Sequence, residues 1–551
     1  MSSAPAGRRG AAQTDGGAAP AASDVTPAAD TAAEARRGRW AAAAARYPPV
    51  IGAAGAVTIA GAWELSRDSA MGNDEVVSRW AASLSLGQLA HLLRHVDAVH
   101  GLYYLMLHGW MAVGTSPAVL RIPSVIGMSA AAALMVILGR RLTGSGWAGL
   151  FAGLIMATTT SASYYAQTAR SSALVFACVL GQTLALVSVL QAENAGAEGR
   201  RLTRGWLAYG ALVTLGGYLN EMALLVLAAH ALTILLTRAG RRAARHWTVT
   251  VALSVALLAP LLVLGALQHA AVSWIVRPDL DQVRLLYHDY FGATVTSALL
   301  VAGCAVVAVL PPRRWRRPDR TAPGSPGPGI GGAWLPSVAV PLLLVPAGAL
   351  LLESVLAPPL YQERYVLYGE AGAALLAGAG AYRAGRWLAA AARRRELIAV
   401  PGVAVCLGVL LLQLAAQRGV RTPESRAFNF GGPSFYVGAH ADRGDGVLFM
   451  DSFYRKAELG YPGEFRMTSD LALAVPPAVN ASYLGANKPF AAVRPLMLSH
   501  RRIWVLGYLP SPGLPAGLLR EESLVLRHDF TRVMVRGYRG IWLTLWVQKF
   551  R

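Results

Sequence analysis

The chain has 551 residues, of which 54% are hydrophobic and 15% are charged. This composition excludes an ordinary soluble globular protein, in which about 25% of residues are charged. The formal net charge of +21 alone would suit a nucleic-acid-binding protein. However, the arginines form short clusters between apolar runs of roughly 17 to 25 residues, the length that crosses a bilayer. We therefore predict an integral membrane protein without a nucleic-acid partner.

Residues 1–46 are rich in Ala, Gly, Pro, Ser and Arg and show no apolar periodicity, which is typical of disordered segments. The first apolar run begins near Tyr47, too far from Met1 for a cleaved export signal. Arginines precede this run, and short cytoplasmic segments of membrane proteins collect Lys and Arg. We predict a disordered N-terminal tail on the cytoplasmic side.

Arginine clusters recur after every second apolar run, as the positive-inside rule expects of cytoplasmic loops. This alternation predicts about eleven membrane spans, near residues 47–65, 122–140, 146–163, 172–190, 205–219, 221–237, 247–267, 292–311, 334–353, 364–382 and 397–416. The apolar segment GLYYLMLHGWMAVG, residues 101–114, is not counted, because a crossing there would place Arg140 and Arg141 outside. Its length suits a helix in the membrane interface. Residues 66–121 are thus predicted to be one outer loop with interfacial helices.

Orientation explains the cytoplasmic charges, so the polar residues that remain on the predicted outer face are candidates for function. Ionisable groups at a membrane boundary are costly unless they are paired or face water. The candidates are Asp74, Glu75, His95, Asp97, His100, Tyr104, Gln167, Arg170, Glu363 and Arg364. The predicted topology opens all of them onto one surface.

Each candidate also has a simpler interpretation. A carboxylate at a helix end can be solvated, and Arg170 and Arg364 can be partners of nearby carboxylates instead of phosphate ligands. The segment HVDAVH contains metal-ligand residue types in His95, Asp97 and His100, but no fourth ligand stands nearby. We predict no metal site, and a divalent cation remains an unsupported alternative.

Five motifs occur in an order that resembles the family 39 glycosyltransferases. They are the DE pair at 74–75, GLYYLMLHGW, RIPSVIG leading to a span that ends in GRRL, YYAQTARSSAL and ERYVLYGEAGAALL. That family is similar to the protein O-mannosyltransferases and the lipid A aminoarabinose transferases, and these enzymes have the GT-C fold. The resemblance covers residues 47–385 and is strongest between Asp74 and Arg170.

The resemblance implies an enzyme that transfers a sugar from a polyprenyl-phosphate donor to an acceptor on the outer face. Asp74 would be the general base for the acceptor hydroxyl, and Glu75 would help to bind the donor or the acceptor. Arg170 and Arg364 would stabilise the negative charge on the leaving phosphate. Mannose is the expected sugar, because it is the commonest donor among similar bacterial enzymes.

The sequence departs from the family pattern at two places. Members commonly have HPPLYY where this chain has HVDAVHGLYY, so a histidine and an aspartate replace prolines. We therefore expect His95, Asp97 and His100 to orient the acceptor. Many members also have an acid where Thr168 stands in AQTAR. Its absence argues against a metal-assisted reaction.

Residues 418–551 contain no long apolar run and are predicted to form an extracytoplasmic α/β domain beside the site. The segments GDGVLFM (444–450), RIWVLGY (502–508) and IWLTLWVQ (541–548) predict strands. The preceding residues, 47–417, would form the transmembrane catalytic domain. Within it, the basic and Pro/Gly-rich loop 311–332 predicts a flexible cytoplasmic linker that contacts anionic lipids.

The predicted fold is therefore a polytopic α-helical protein of the plasma membrane with the GT-C architecture. The main alternative is a transporter or lipid flippase, which would carry mid-span charges or interrupted helices. Pro260, Pro341, Pro346 and the pair Gly216–Gly217 fall within predicted spans and keep this alternative open. A non-catalytic scaffold or sensor ranks last, because it gives the cluster of acids and arginines no role.

Overall fold

The computed structural model describes residues 47–66, 70–310, 334–507 and 520–549. The predicted N-terminal tail, 1–46, and the linker, 311–332, lie outside the described residues. The described residues from Pro49 onward form one compact unit. The boundary near residue 418 between a membrane domain and an outer domain stays a prediction.

Each predicted span overlaps a helix. These helices are Tyr47–Ala62, Pro117–Thr143, Gly146–Thr158, Ser172–Asn194, Arg200–Leu219, Val226–Leu236, Arg241–Leu267, Val295–Val309, Trp334–Leu356, Glu370–Ala392 and Val400–Gly419. In the part of the chain that the structure describes, five helices are long and apolar enough to cross a membrane. A sixth span results if Leu280–Phe291 and Val295–Val309, which meet at 67°, count as one. A polytopic helical protein is thus confirmed, and the number eleven stays a prediction.

The segment predicted to be the first outer loop contains the short helices Asn73–Ser83, Leu86–Leu93 and Gly101–Trp110, and we keep the name first outer loop for it. The second begins at a capping box, in which the Ser85 hydroxyl accepts from the Gln88 amide and the Gln88 side chain accepts from the Ser85 amide. The third helix lies in the segment that was predicted to be interfacial. Its ten residues extend about 15 Å, too short to cross a bilayer.

The helix Glu370–Ala392 lies at the centre of the helical part, and its residues from Glu370 to Ala381 are all buried. Small residues permit this position, because neighbouring helices approach its backbone directly. A Cβ atom on Gly378 would lie 2.7 Å from the carbonyl oxygen of Ala148 on the helix Gly146–Thr158. The close approach of these two helices therefore requires glycine at 378.

The C-terminal part contains the strands β1 (Asp445–Phe449), β2 (Thr468–Asp470), β3 (Leu473–Val475), β4 (Ala486–Asn487), β5 (Arg502–Gly507), β6 (Phe530–Tyr538) and β7 (Ile541–Gln548). Five of them form a mixed sheet in the order β2-β1-β5-β7-β6, and β3 pairs with β4. β1 is parallel to β2 and β5, whereas β7 is antiparallel to β5 and β6. The segments that were predicted to be strands therefore contain β1, β5 and β7.

Four further helices belong to this part: Gly431–His440, Lys456–Gly460, Phe490–Ser499 and Arg520–Asp529. One apolar cluster joins the sheet to the first outer loop, since Val76 and Met71 pack with Phe430, Phe449 and Trp504. The amide of Met71 also donates to the Tyr461 hydroxyl at 2.7 Å. The C-terminal part thus packs directly against the helix that carries Asp74.

Replacing Gly378 with leucine should lower the free energy of unfolding by about 1–3 kcal/mol, because the new side chain overlaps the backbone of the neighbouring helix. Thermal unfolding of the purified protein in detergent measures this change. Gly303→Leu is the matched control, since nothing lies within 4 Å of a Cβ atom at that position. Equal unfolding temperatures for the two variants would contradict the close helix contact.

Candidate active site at the first outer loop

The helix Asn73–Ser83 begins with the two neighbouring acids, which have different surroundings. Consecutive residues of an α-helix project about 100° apart. The side chain of Glu75 is 1% exposed, whereas that of Asp74 is 27% exposed. One acid is therefore part of the protein interior and the other lies at its surface.

The carboxylate of Glu75 is held by Arg121, whose guanidinium contacts both of its oxygens. The Nε–Oε1 distance is 2.8 Å and the Nη2–Oε2 distance is 3.1 Å. The amides of Ala169 and Gly72 also donate to it. Burial alone would raise the pKa of Glu75, but Arg121 and Arg426 outweigh it and lower the pKa from 4.5 to about 2. Glu75 is thus an ionised structural acid.

Arg426 joins the same cluster from the C-terminal part. Its Nε lies 3.8 Å from Glu75, and its other nitrogens donate to the Thr168 hydroxyl and to the Gln167 carbonyl. The Gln167 side chain in turn donates to the carbonyls of Gly61 and Trp63 at 3.0 and 2.7 Å. Glu75 and Gln167 are both buried and hydrogen-bonded to other protein groups. This geometry does not support their predicted contact with a substrate.

Asp74 is held more loosely. Its Oδ2 lies 3.5 Å from Arg364 Nη1, and its Oδ1 accepts from the Asn73 side chain at 3.2 Å. Burial by itself would raise the pKa of Asp74, but the charges of Arg364, Arg170 and His100 outweigh it and lower the pKa from 3.8 to about 2. Asp74 is thus an ionised carboxylate that solvent can reach.

A small pocket opens beside the pair of Asp74 and Arg364. It is lined by His100, Arg170, Ser171, Ser172, Val175, Asn220, Met222, Arg364 and Tyr365. The tertiary structure therefore brings together two guanidinium groups that are 194 positions apart in the sequence. Two fixed cations in one partly enclosed pocket form a suitable site for an anion such as a phosphate.

Asp97 organises one wall of this pocket. Its backbone is left-handed, with φ of 58°, a conformation that aspartate tolerates better than most residues. Its Oδ2 accepts from the hydroxyls of Tyr104 and Tyr483 at 2.6 and 2.7 Å and lies 3.9 Å from Arg170 Nη2. Arg170 also donates to the Tyr104 hydroxyl at 2.8 Å. This network fixes the direction of the Arg170 side chain.

His100 belongs to the pocket, but His95 does not. The Nδ1 atom of His100 lies 3.7 Å from Asp97 Oδ1, and burial followed by the charge of Arg170 lowers its pKa below 6.5. His95 is exposed, and its ring contacts the His91 carbonyl. Among the described residues, no three His, Cys, Asp or Glu side chains converge as metal ligands would.

Glu363 lies 3.5 Å from the Tyr165 hydroxyl, which donates to it. Within the described part of the chain, no contact of Glu363 bears on substrate binding, so its predicted role there stays a prediction.

Several residues of the site were missed by the sequence analysis. Arg121 had a usable signal, because an arginine at the outer end of a predicted span departs from the positive-inside rule. Asn220 lines the pocket, but it is a single polar residue between two predicted spans and no sequence pattern suggests its role. Arg426, Lys456 and Tyr483 come from the C-terminal part, and no local pattern connects them to Asp74.

Replacing Glu75 with glutamine should lower the free energy of unfolding by about 3–5 kcal/mol, because Arg121 and Arg426 become buried without a counter-charge. In the wild type, the contribution of Glu75 is complete above pH 4.5 and is lost as the pH falls towards 2. Unfolding temperatures measured across this pH range should therefore converge for the two proteins at low pH. Asp74→Asn is the comparison and should lower the stability less, because Asp74 and its partner Arg364 are both partly exposed. An equal loss of stability in the two variants would contradict the different roles of the two acids.

Comparisons with known proteins bear on the fold. No protein-family model matches the sequence, and no curated protein matches it. The structure resembles that of ArnT from Cupriavidus metallidurans in the apo state, with a TM-score of 0.56 and 10% sequence identity, over 92% of this chain and 98% of that chain. ArnT from the same organism bound to undecaprenyl phosphate has a TM-score of 0.51 and 10% identity, over 90% and 97% of the two chains. This likeness agrees with the resemblance stated from the sequence motifs, and it confirms the GT-C type of fold.

Proposed function

We propose that this protein is a membrane glycosyltransferase that moves a sugar from a polyprenyl-phosphate donor to a hydroxyl of an acceptor on the outer face. The observation that carries the proposal is the position of Asp74. This ionised and accessible carboxylate lies 3.5 Å from Arg364, beside a pocket that Arg170 also lines. A carboxylate and two cations are the groups that such a transfer requires.

In the proposed reaction, the acceptor oxygen attacks the anomeric carbon and gives its proton to Asp74. The bond between that carbon and the phosphate oxygen breaks, and the phosphate leaves with the electron pair. Arg170 and Arg364 balance the charge that develops on the phosphate. The Asp97–Tyr104 network holds Arg170 in place before the reaction, so little reorganisation is needed.

The low pKa of Asp74 makes it a weak base before the donor binds, and donor binding should raise this pKa. A phosphate placed between Arg170 and Arg364 brings negative charge next to the cations that depress the pKa of Asp74. The pKa should therefore rise when the donor is bound. In this proposal, Asp74 becomes an effective base only in the complex, which limits unproductive chemistry in the empty enzyme.

The fold supports a polyprenyl phosphate as the lipid part of the donor, because a protein of this fold is described as bound to undecaprenyl phosphate. Mannose is proposed as the sugar from the resemblance of the motifs. The family that the motifs resemble is similar to the lipid A aminoarabinose transferases, so aminoarabinose is the first alternative to test. The proposed acceptor is a protein, a glycolipid or a polysaccharide of the cell envelope.

The proposed orientation places the N-terminus in the cytoplasm and the C-terminal part outside a plasma membrane, as the arginine clusters indicate. The prolines within the predicted spans do not support the transporter alternative. The helix Trp334–Leu356 continues through Pro341 and Pro346, and Arg241–Leu267 continues through Pro260. These prolines therefore do not break helices at the bilayer centre, as a transporter site would need.

Asp74→Asn should reduce sugar transfer by at least about 10³-fold, because the amide keeps the shape of the carboxylate but accepts no proton. Transfer from labelled polyprenyl-phosphate mannose by membranes that contain equal amounts of each protein measures this. Glu424→Gln is the control, since this acid is exposed and lies outside the site. Transfer at the wild-type rate by Asp74→Asn would overturn the proposed base. If the wild type transfers no mannose, the same comparison is made with polyprenyl-phosphate aminoarabinose as the donor.

Arg364→Ala should raise the KM for the donor by about 10- to 100-fold, because a hydrogen bond between charged groups is worth roughly 1.5–3 kcal/mol. The KM for the acceptor should change much less. Steady-state kinetics with each substrate varied separately give the comparison. Arg284→Ala, which removes an exposed arginine, is the control. Equal effects on both KM values would contradict a role at the donor phosphate.

A further inference from the structure

The C-terminal part contributes a lysine to the surroundings of Asp74. The chain has only three lysines among its 51 basic residues, at positions 456, 488 and 549. Lys456 begins the helix Lys456–Gly460 and is 8% exposed. Its ammonium lies 4.3 Å from the centre of the Phe453 ring. A buried lysine is rare and needs a partner.

The partner of Lys456 is Asn73, the residue before the proposed base. Lys456 Nζ donates to Asn73 Oδ1 at 2.8 Å, and Asn73 Nδ2 donates to Asp74 Oδ1 at 3.2 Å. The two contacts determine the orientation of the amide, because its NH₂ group cannot accept from the ammonium. Asn73 therefore connects the lysine to one oxygen of the carboxylate.

The other oxygen of Asp74 lies next to Arg364. The carboxylate is thus held from both sides, by the arginine on the pocket side and by Asn73 on the side of the C-terminal part. If a phosphate draws Arg364 away, the Asn73 contact is the one that still fixes Asp74. The base then keeps its direction during proton transfer, when small misplacements are costly.

We propose that Lys456 is a positioning residue that acts through Asn73 to hold the carboxylate of Asp74 in the direction needed to accept the acceptor's proton. This inference rests on the proposed transferase function. It also gives the C-terminal part a role in the reaction, because the site is complete only when the helix Lys456–Gly460 is seated on the first outer loop.

The charge of Lys456 depends on pH in an accessible range. Burial is the main cause that lowers its pKa from 10.5 to about 8. Asp74 and Asp97 raise the pKa, Arg170 lowers it, and Asp451 raises it. Glu458 is the further titratable group on the same helix. Lys456 is therefore charged below pH 8 and becomes neutral above it, which should weaken its hydrogen bond to Asn73.

The kinetic test uses Lys456→Met, Asn73→Ala and the double variant. Each single change should lower kcat about ten-fold and leave the KM for the donor within about two-fold, since neither residue lines the pocket proposed for the donor phosphate. The double variant should be no slower than the slower single variant, because both changes break the same connection. Lys549→Met, at an exposed lysine, is the control. Additive losses of about 100-fold, or a large rise in the donor KM, would overturn the positioning role.

The pH profile separates positioning from simple packing. The kcat of the wild type should decline above pH 8, and that of Lys456→Met should be low and flat across the same range. Lys456→Arg keeps a permanent charge, so the kcat of this variant should not decline above pH 8. If Lys456→Arg declines with the same midpoint as the wild type, the titrating group is not Lys456 and the role is wrong.

A measurement without sugar transfer tests the connection itself. With lysine labelled with ¹³C at the ε-carbon, the protein in detergent gives one signal for each of its three lysines, and the signal that Lys456→Arg removes is that of Lys456. This signal should titrate near pH 8. Asp74→Asn should lower the midpoint by about half a pH unit, because the nearby negative charge is lost.

The two proposals fail in different ways. An Asp74→Asn variant that leaves the Lys456 midpoint unchanged overturns the connection, whether or not sugar is transferred. A shifted midpoint without transfer from any lipid-linked sugar instead supports the connection and overturns the transferase function.

Discussion

The ion cluster around Glu75 is the interaction on which the site depends. Its carboxylate sits between Arg121, at the start of the helix Pro117–Thr143, and Arg426 of the C-terminal part, and it also accepts from the amide of Ala169. Three distant segments therefore meet at one buried charge. Removing Glu75 would leave two buried guanidinium ions without a counter-charge, so the position of all three segments depends on this carboxylate.

The division between the two neighbouring acids follows from helix geometry. The first turn of Asn73–Ser83 directs Glu75 inward, and this leaves Asp74 at the pocket with looser contacts. A buried, fully paired acid thus lies directly beside a partly exposed one. Asn73 and Lys456 extend this support from the C-terminal part, while Arg364 reaches Asp74 from the opposite side.

Much of the architecture was predictable, because length, apolar runs and arginine clusters are local properties. The helices within the predicted spans and the strands β1, β5 and β7 are examples. β6 was missed, since most of its residues are exposed and it lacks the apolar pattern of a core strand. Asp74, Arg170 and Arg364 were selected as outer polar residues, and the structure does bring them together. The same reasoning also selected His95, which is exposed, and Gln167, which binds backbone carbonyls in the interior.

The sequence by itself determined the class of protein and the fold suggested by its motifs, because these depend on composition and the order of short segments. Only the tertiary structure decided which acid is accessible, which arginine is a structural partner and which faces the pocket. It also decided that Lys456 and Tyr483 reach the first outer loop. Such contacts depend on how segments hundreds of residues apart pack together, and hydrophobic periodicity carries no information about them.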